Sequence, residues 1–101
     1  MSRDLVIGID CSTTASKAVV WDRTGKAVAT GRRTYGLDHV QSGWVEQNAE
    51  DWWTATSAAL ADAVKQVQAD RIAAVAITHQ RETFVCLDAA GKPLRPGITW
   101  M

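Results

Sequence analysis

The sequence predicts an α/β domain in which three antiparallel strands lead into one helix and then into a strand parallel to the first. Three observations predict it. Short continuous apolar runs at residues 5–9 and 72–77 suit strands covered on both faces. A hairpin-type turn, Asp22-Arg23-Thr24-Gly25, joins two further strand-like segments. One stretch with helical periodicity separates the two apolar runs.

The first strand spans residues 5–9 and ends at Asp10, where the polar loop Cys11-Ser12-Thr13-Thr14-Ala15-Ser16 begins. The second strand spans residues 17–21 and the third residues 26–35. Their short connections make an antiparallel meander. Residues 36–47 read as a loop. Asn48 is a suitable N-cap, because its side-chain oxygen can accept from the free amides of a first helical turn. Glu50 and Asp51 follow where the helix dipole favours negative charge. The apolar stripe Ala49, Trp52, Trp53, Thr56, Leu60, Ala63, Val64 and Val67 carries the helix to about Ala69. Residues 71–78 form the next strand, and a helix between two strands implies a parallel pairing. Residues 84–87 read as a strand, with the turn Asp88-Ala89-Ala90-Gly91 built like the earlier one. Pro93 and Pro96 mark a loop or edge, and a strand-like run starts at Ile98. The β-β-β-α-β order is the start of a ribonuclease H-like, actin-like ATPase fold.

Composition narrows the function classes. In 101 residues, 47% are hydrophobic and 22% charged, as in ordinary globular domains. Lys+Arg and Asp+Glu are equal at 11 each, so neither sign dominates to attract nucleic acid or a membrane surface. No apolar stretch approaches the roughly 20 residues needed to span a bilayer. Cys11 and Cys86 lie far apart and form no metal-ligand pattern, so they read as reduced cytosolic thiols.

Two segments carry chemistry. In Gly8-Ile9-Asp10-Cys11-Ser12-Thr13-Thr14, a carboxylate ends a strand and three hydroxyls follow in a tight turn, with Lys17 on the returning strand. Turn amides and hydroxyls can donate to phosphate oxygens. Asp10 can hold Mg²⁺, which prefers hard oxygen ligands, and Lys17 can offset charge on a transferring phosphoryl group. The same hydroxyls would also suit a hairpin that merely satisfies its own turn amides. The second segment, His79-Gln80-Arg81-Glu82-Thr83, follows a strand at the carboxyl end where open α/β sheets bind ligands. There Glu82 can accept from polyol hydroxyls and Arg81 can donate to them, although the segment taken alone is better explained as a surface turn with an Arg–Glu pair worth little. Trp100 either walls a polyol's carbons or packs in the core. Trp44, Trp52 and Trp53 are assigned to packing at the helix start.

Taken in order, Gly8-Ile9-Asp10 with Ser12-Thr13-Thr14 and Lys17, Gly43-Trp44-Val45-Glu46-Gln47, Asp51-Trp52-Trp53, Gln80-Arg81-Glu82-Thr83 and Gly97-Ile98-Thr99-Trp100 resemble the N-terminal domain of FGGY carbohydrate kinases. The resemblance covers the whole chain. It implies ATP- and Mg²⁺-dependent phosphorylation of a hydroxyl on a sugar, polyol or sugar acid in the cytoplasm. By it, Asp10 organises Mg²⁺, while Ser12, Thr13, Thr14 and Lys17 face the phosphates. Gln80, Arg81 and Glu82 bind substrate with Trp100 beside it. The glycerol kinase and xylulokinase branches are the nearest in motif. Lys17 and His79 depart from the usual glycerol kinase choices, which counts against glycerol as the acceptor.

Family members are several times longer, so residues 1–101 are expected to be the N-terminal part of the first domain and inactive alone. The resemblance places the catalytic base and the second, adenosine-binding domain beyond Met101, and it leaves room for a homo-oligomer of the full-length protein. Rival readings are another actin-like ATPase, a ribonuclease H-like nuclease and a non-catalytic interaction module.

Overall fold

The computed structural model describes residues 2–101. Strand β1 is Leu5–Cys11, β2 Ala15–Trp21 and β3 Ala27–Thr34. A hairpin of β4 (Asp38–Gln41) and β5 (Trp44–Gln47) precedes helix α1 (Ala49–Val64). A 3₁₀ turn at Ala69–Arg71 leads to β6 (Ile72–His79), and β7 is Gly97–Ile98. The main sheet has the order β3-β2-β1-β6, with β1 antiparallel to β2 and parallel to β6. A second sheet has the order β4-β5-β7.

Sidedness follows from alternation along the strands. Leu5, Ile7 and Ile9 of β1, with Ala18 and Val20 of β2, are buried in one core with Ala29, Ala59 and Ala63. Helix α1 lies across β3 and β2 and presents Ala55, Ala59 and Ala63, spaced four apart so that they form one narrow stripe. Small residues are required here. A Cβ on Gly31 of β3 would overlap the carbonyl of Ala59. The helix therefore sits closer to the sheet than side chains would normally permit.

Local chemistry sets the helix start and both Asp turns as expected. The Asn48 Oδ1 accepts from the Glu50 amide at 3.0 Å. Asp22 Oδ1 accepts from the Thr24 and Lys26 amides at 2.8 and 3.0 Å, and Gly25 takes a φ of 82°. Asp88 repeats the pattern with Ala90 and Lys92 at 2.8 and 2.9 Å, with Gly91 at φ 83°.

Other expectations are corrected. β1 continues through Asp10 to Cys11, and β2 starts at Ala15, because backbone pairing on both sides of β1 carries through the polar residues. The expected loop at residues 36–47 contains the β4–β5 hairpin, turned at Gly43 with φ 78°. The helix stops at Val64 rather than near Ala69. Gln66 folds back so that its Nε2 donates to the Asp62 carbonyl at 2.7 Å and to Thr30 at 2.8 Å, which satisfies a last-turn carbonyl and ties the end to β3. Trp53 leaves the predicted stripe and is 70% exposed. β6 has the composition of a covered strand but lies at the sheet edge, while α1 packs mainly on β3 and β2, and Val75 and Ile77 are exposed. Residues 84–87 make only isolated bridges, Phe84 to Ile98 and Leu87 to Pro93. Both cysteines are free. Among the described residues, no helix is long and apolar enough to cross a membrane.

Arg71 clamps the start of β6 to the chain entering β1. Its Nε and NH2 groups donate to the two carboxylate oxygens of Asp4 at 2.9 and 2.6 Å. These hydrogen bonds hold the Asp4 carboxyl below its ordinary value of 3.8. A carboxyl whose folded value is depressed contributes stability above its unfolded value and loses it as pH falls through the folded one. Asp4→Asn is therefore expected to lower the thermal midpoint at pH 7. The gap from wild type should close as pH is taken below 3.8. Thermal melts of both proteins between pH 2 and 7 test this, and a gap independent of pH would refute it.

Candidate phosphate and acceptor site

β1 and β6 run parallel, so both deliver their following loops to the same edge of the sheet. The pairing continues past the strands, with the Gln80 amide donating to the Cys11 carbonyl at 3.1 Å. Between the two loops lies a cleft of about 570 Å³. Asp10, Ser12 and Thr13 line it from the first loop, and His79, Gln80, Arg81 and Glu82 line it from the second. Trp100 closes a further wall. The structure thus brings together seven residues expected at the site from the sequence: Asp10, Ser12, Thr13, Gln80, Arg81, Glu82 and Trp100.

Lys17 and Thr14 stand differently. Lys17 is the cross-strand partner of Asp10 and lines a neighbouring hollow of about 270 Å³ with Gly8, Trp21 and Thr78. Asp10 borders both spaces, so a group beside its carboxylate would be within the field of Lys17 without Lys17 entering the cleft. Thr14 is exposed and lines neither space; its carbonyl accepts from the Tyr35 amide at 3.0 Å.

The hydroxyl turn is held from behind. Tyr35, at the end of β3, donates its hydroxyl to the Ser12 carbonyl and lies 3.0 Å from the Ala15 carbonyl. Gln47 donates to the Thr13 carbonyl at 2.6 Å. Carbonyls at Ser12, Thr13 and Thr14 are thus occupied by donors from the body of the protein, and that of Ala15 accepts from the Ser12 amide within the turn at 2.9 Å. Carbonyl oxygens aimed at an anion would repel it, so this pinning leaves the turn able to face one. Burial, with Cys11 nearby, pushes the Tyr35 hydroxyl well above its usual range, so it stays protonated and donating. Ser16, fully buried, hydrogen-bonds Thr56 of α1 at 2.6 Å and fixes the returning strand.

On the second loop of the cleft, Glu82 has a φ of 62°, the one non-glycine residue with positive φ among the described residues. This left-handed backbone costs a side-chain-bearing residue about 1–2 kcal/mol, and such strain gathers at functional sites. Glu82→Gly is expected to raise stability by up to about 1 kcal/mol, the relief being offset partly by glycine's freedom in the unfolded chain. Urea unfolding measures it, and a less stable variant would show that the side chain compensates for the turn.

Sequence reasoning missed Tyr35, Gln47 and Thr83. Gln47 carried one signal, its place in the Gly-Trp-Val-Glu-Gln segment, and the structure leaves it only 1% exposed. Trp44 lines a separate hollow of about 280 Å³ with Val45, Arg95 and Met101. The ring of Trp52 packs over Gly97, where an added Cβ would meet it at 2.5 Å.

Fold and cleft together define part of a ribonuclease H-like, actin-like ATPase fold in which a hydroxyl turn lies beside a polar loop carrying Arg81 and Glu82. The family model for the FGGY family of carbohydrate kinases, N-terminal domain, matches residues 5–101, and the chain belongs to that family. A glycerol kinase of Shewanella piezotolerans is 39% identical over 99% of this chain and 21% of its own length. A glycerol kinase of Beutenbergia cavernae is 40% identical over 96% of this chain and 20% of its own. Among solved structures, a xylulose kinase from Rhodospirillum rubrum superposes with a TM-score of 0.88 at 31% identity, covering 94% of this chain and 20% of that one. A gluconate kinase from Lactobacillus acidophilus gives 0.87 at 30% identity, covering 95% and 19%. The chain spans about a fifth of the length of the curated relatives it matches.

Proposed function

We propose that residues 1–101 are the N-terminal part of the first domain of an ATP-dependent kinase that phosphorylates a hydroxyl of a sugar, polyol or sugar acid. The observation that carries this reading is the meeting of the Asp10–Ser12–Thr13 turn and the Arg81–Glu82 loop in one cleft. One side suits phosphates and the other suits hydroxyls. Phosphoryl transfer asks little covalent chemistry of the protein and much positioning, and a cleft with these two walls supplies it.

The donor set fits Mg²⁺, which is commonly held by one or two carboxylates, substrate phosphates and several waters. Asp10 offers a carboxylate at the cleft edge whose side-chain contact is a 3.3 Å hydrogen bond from Thr78, leaving acceptor capacity free. When bound there, Mg²⁺ would neutralise charge on the phosphate oxygens. Ser12 and Thr13 would donate hydroxyls to those oxygens, with Thr14 behind them, and Lys17 would lower the negative potential from the adjoining hollow. Glu82 would accept from acceptor hydroxyls, Arg81 and Gln80 would donate to them, and Trp100 would pack against the carbon chain. The base that takes the acceptor's proton is assigned outside residues 1–101. Two-metal nuclease chemistry calls for clustered carboxylates, and among the described residues no group of three or more His, Cys, Asp or Glu converges. A cytoplasmic location accompanies the kinase reading.

ATP consumption by the full-length protein that carries these residues, against glycerol, xylulose, ribulose and gluconate, tests the reading. Turnover with one acceptor supports it and names the substrate. A folded protein that turns over none of them would overturn it. Glu82→Gly, more stable as it is expected to be, should at the same time raise the acceptor KM.

A further inference from the structure

We infer that Gln47 is a positioning residue that sets the spacing between the phosphate turn and the acceptor loop. The inference rests on the kinase reading of the cleft. Gln47 itself lines no part of that cleft, yet its amide touches both sides. Its Nε2 donates to the Thr13 carbonyl at 2.6 Å and the Gly36 carbonyl at 3.1 Å. Its Oε1 accepts from Trp52 Nε1 at 2.9 Å and from Gln80 Nε2 at 2.7 Å. The orientation is chemically fixed, because an indole N–H can only donate and a backbone carbonyl can only accept. All four hydrogen-bonding positions of a buried amide are therefore used.

The contacts continue around a closed circuit. Gln80 Oε1 accepts from the Thr83 hydroxyl at 3.2 Å, and Thr83 Oγ1 in turn accepts from the Trp100 amide at 3.0 Å. Trp100 Nε1 then donates to Thr13 Oγ1 at 3.0 Å, which returns the chain to the residue whose carbonyl Gln47 holds. Gln80 and Thr83 flank Arg81 and Glu82, so the circuit grips both ends of the acceptor turn and the middle of the phosphate turn. Gln47 is also paired with Gly97 in the second sheet, so its backbone is anchored independently of either loop. Misplacing reacting groups by about 1 Å can cost about 10²-fold in rate, which makes a rigid link between the two walls consequential for transfer between them.

Gln47→Met and Thr83→Val in the full-length protein break the circuit at two separate points. Both are expected to lower kcat by about 10²-fold at a temperature well below their melting midpoints. Thr83→Ser, which keeps the hydroxyl, should restore it. Hydrogen–deuterium exchange should rise in both residues 11–16 and residues 79–84 of Gln47→Met, while the turn at residues 22–26 stays unchanged. Lower melting midpoints with wild-type kcat would reduce Gln47 to a structural residue. Faster exchange in only one loop, or in neither, would overturn the link. Wild-type protein inactive with every acceptor would overturn the kinase reading alone, because the exchange comparison needs no turnover.

Discussion

Asp10→Asn in the full-length protein is expected to lower kcat by about 10³-fold or more, with any acceptor that wild type phosphorylates. The substitution keeps the size of the side chain and removes its charge. Asp10 sits in the last turn-ward positions of β1, between Lys17 on β2 and Thr78 on β6, so its backbone is fixed from both sides. An amide there still meets the Thr78 hydroxyl but offers one hard oxygen in place of two. The thermal midpoint should therefore stay near wild type while catalysis collapses. Steady-state kinetics across a Mg²⁺ titration, with melts alongside, separate the two effects. Activity within tenfold of wild type at saturating Mg²⁺ would remove Asp10 from the proposed phosphate site.

The second large effect belongs to the core. Gly31→Val is expected to cost about 3 kcal/mol, at the upper end of what overpacking usually costs. A Cβ at Gly31 overlaps the Ala59 carbonyl, lies 2.9 Å from its carbon and 3.0 Å from the Asp62 Cβ. Two of those neighbours are helix backbone, so no rotamer change relieves the clash. Helix α1 must lift off β3, and the Ser16–Thr56 bond behind the hydroxyl turn would go with it. Gly36→Ala is the control, because nothing lies within 4 Å of the added carbon. Its stability should stay within about 0.5 kcal/mol of wild type. Urea unfolding of the pair measures the difference, and equal midpoints would mean that the helix yields without cost.

The parts legible in the sequence are those whose cause is local. The Asn48 cap and the Asp22 and Asp88 turns form through side chains two to four residues from their partners. The meander follows from apolar runs separated by such turns. The β4–β5 hairpin was illegible because every residue of β4 is exposed, so no alternation marks it. β6 reads as a covered strand from composition alone, and only the path of α1 over β2 and β3 decides that it is not covered within these residues. That Asp10, Ser12, Thr13, Arg81 and Glu82 share one cleft was legible because each ends or follows one of two neighbouring strands. Tyr35 was not, since its partner lies 23 residues away and a lone polar residue carries no mark of such a contact, and for Gln47 the Gly-Trp-Val-Glu-Gln segment marked the residue but not its partner 34 residues away.

The parallel pairing of β1 with β6 also bears on the order of folding. It joins positions as far as 68 residues apart, as at Asp10 and Thr78, whereas the meander joins immediate neighbours. Closing a long loop carries an entropic cost that hairpins avoid, so the meander can nucleate before β6 docks. On that order, the cleft is expected to form only when β6 docks. A ligand lodged in it strengthens contacts absent from an early transition state, and so prolongs the life of the folded protein without hastening its formation.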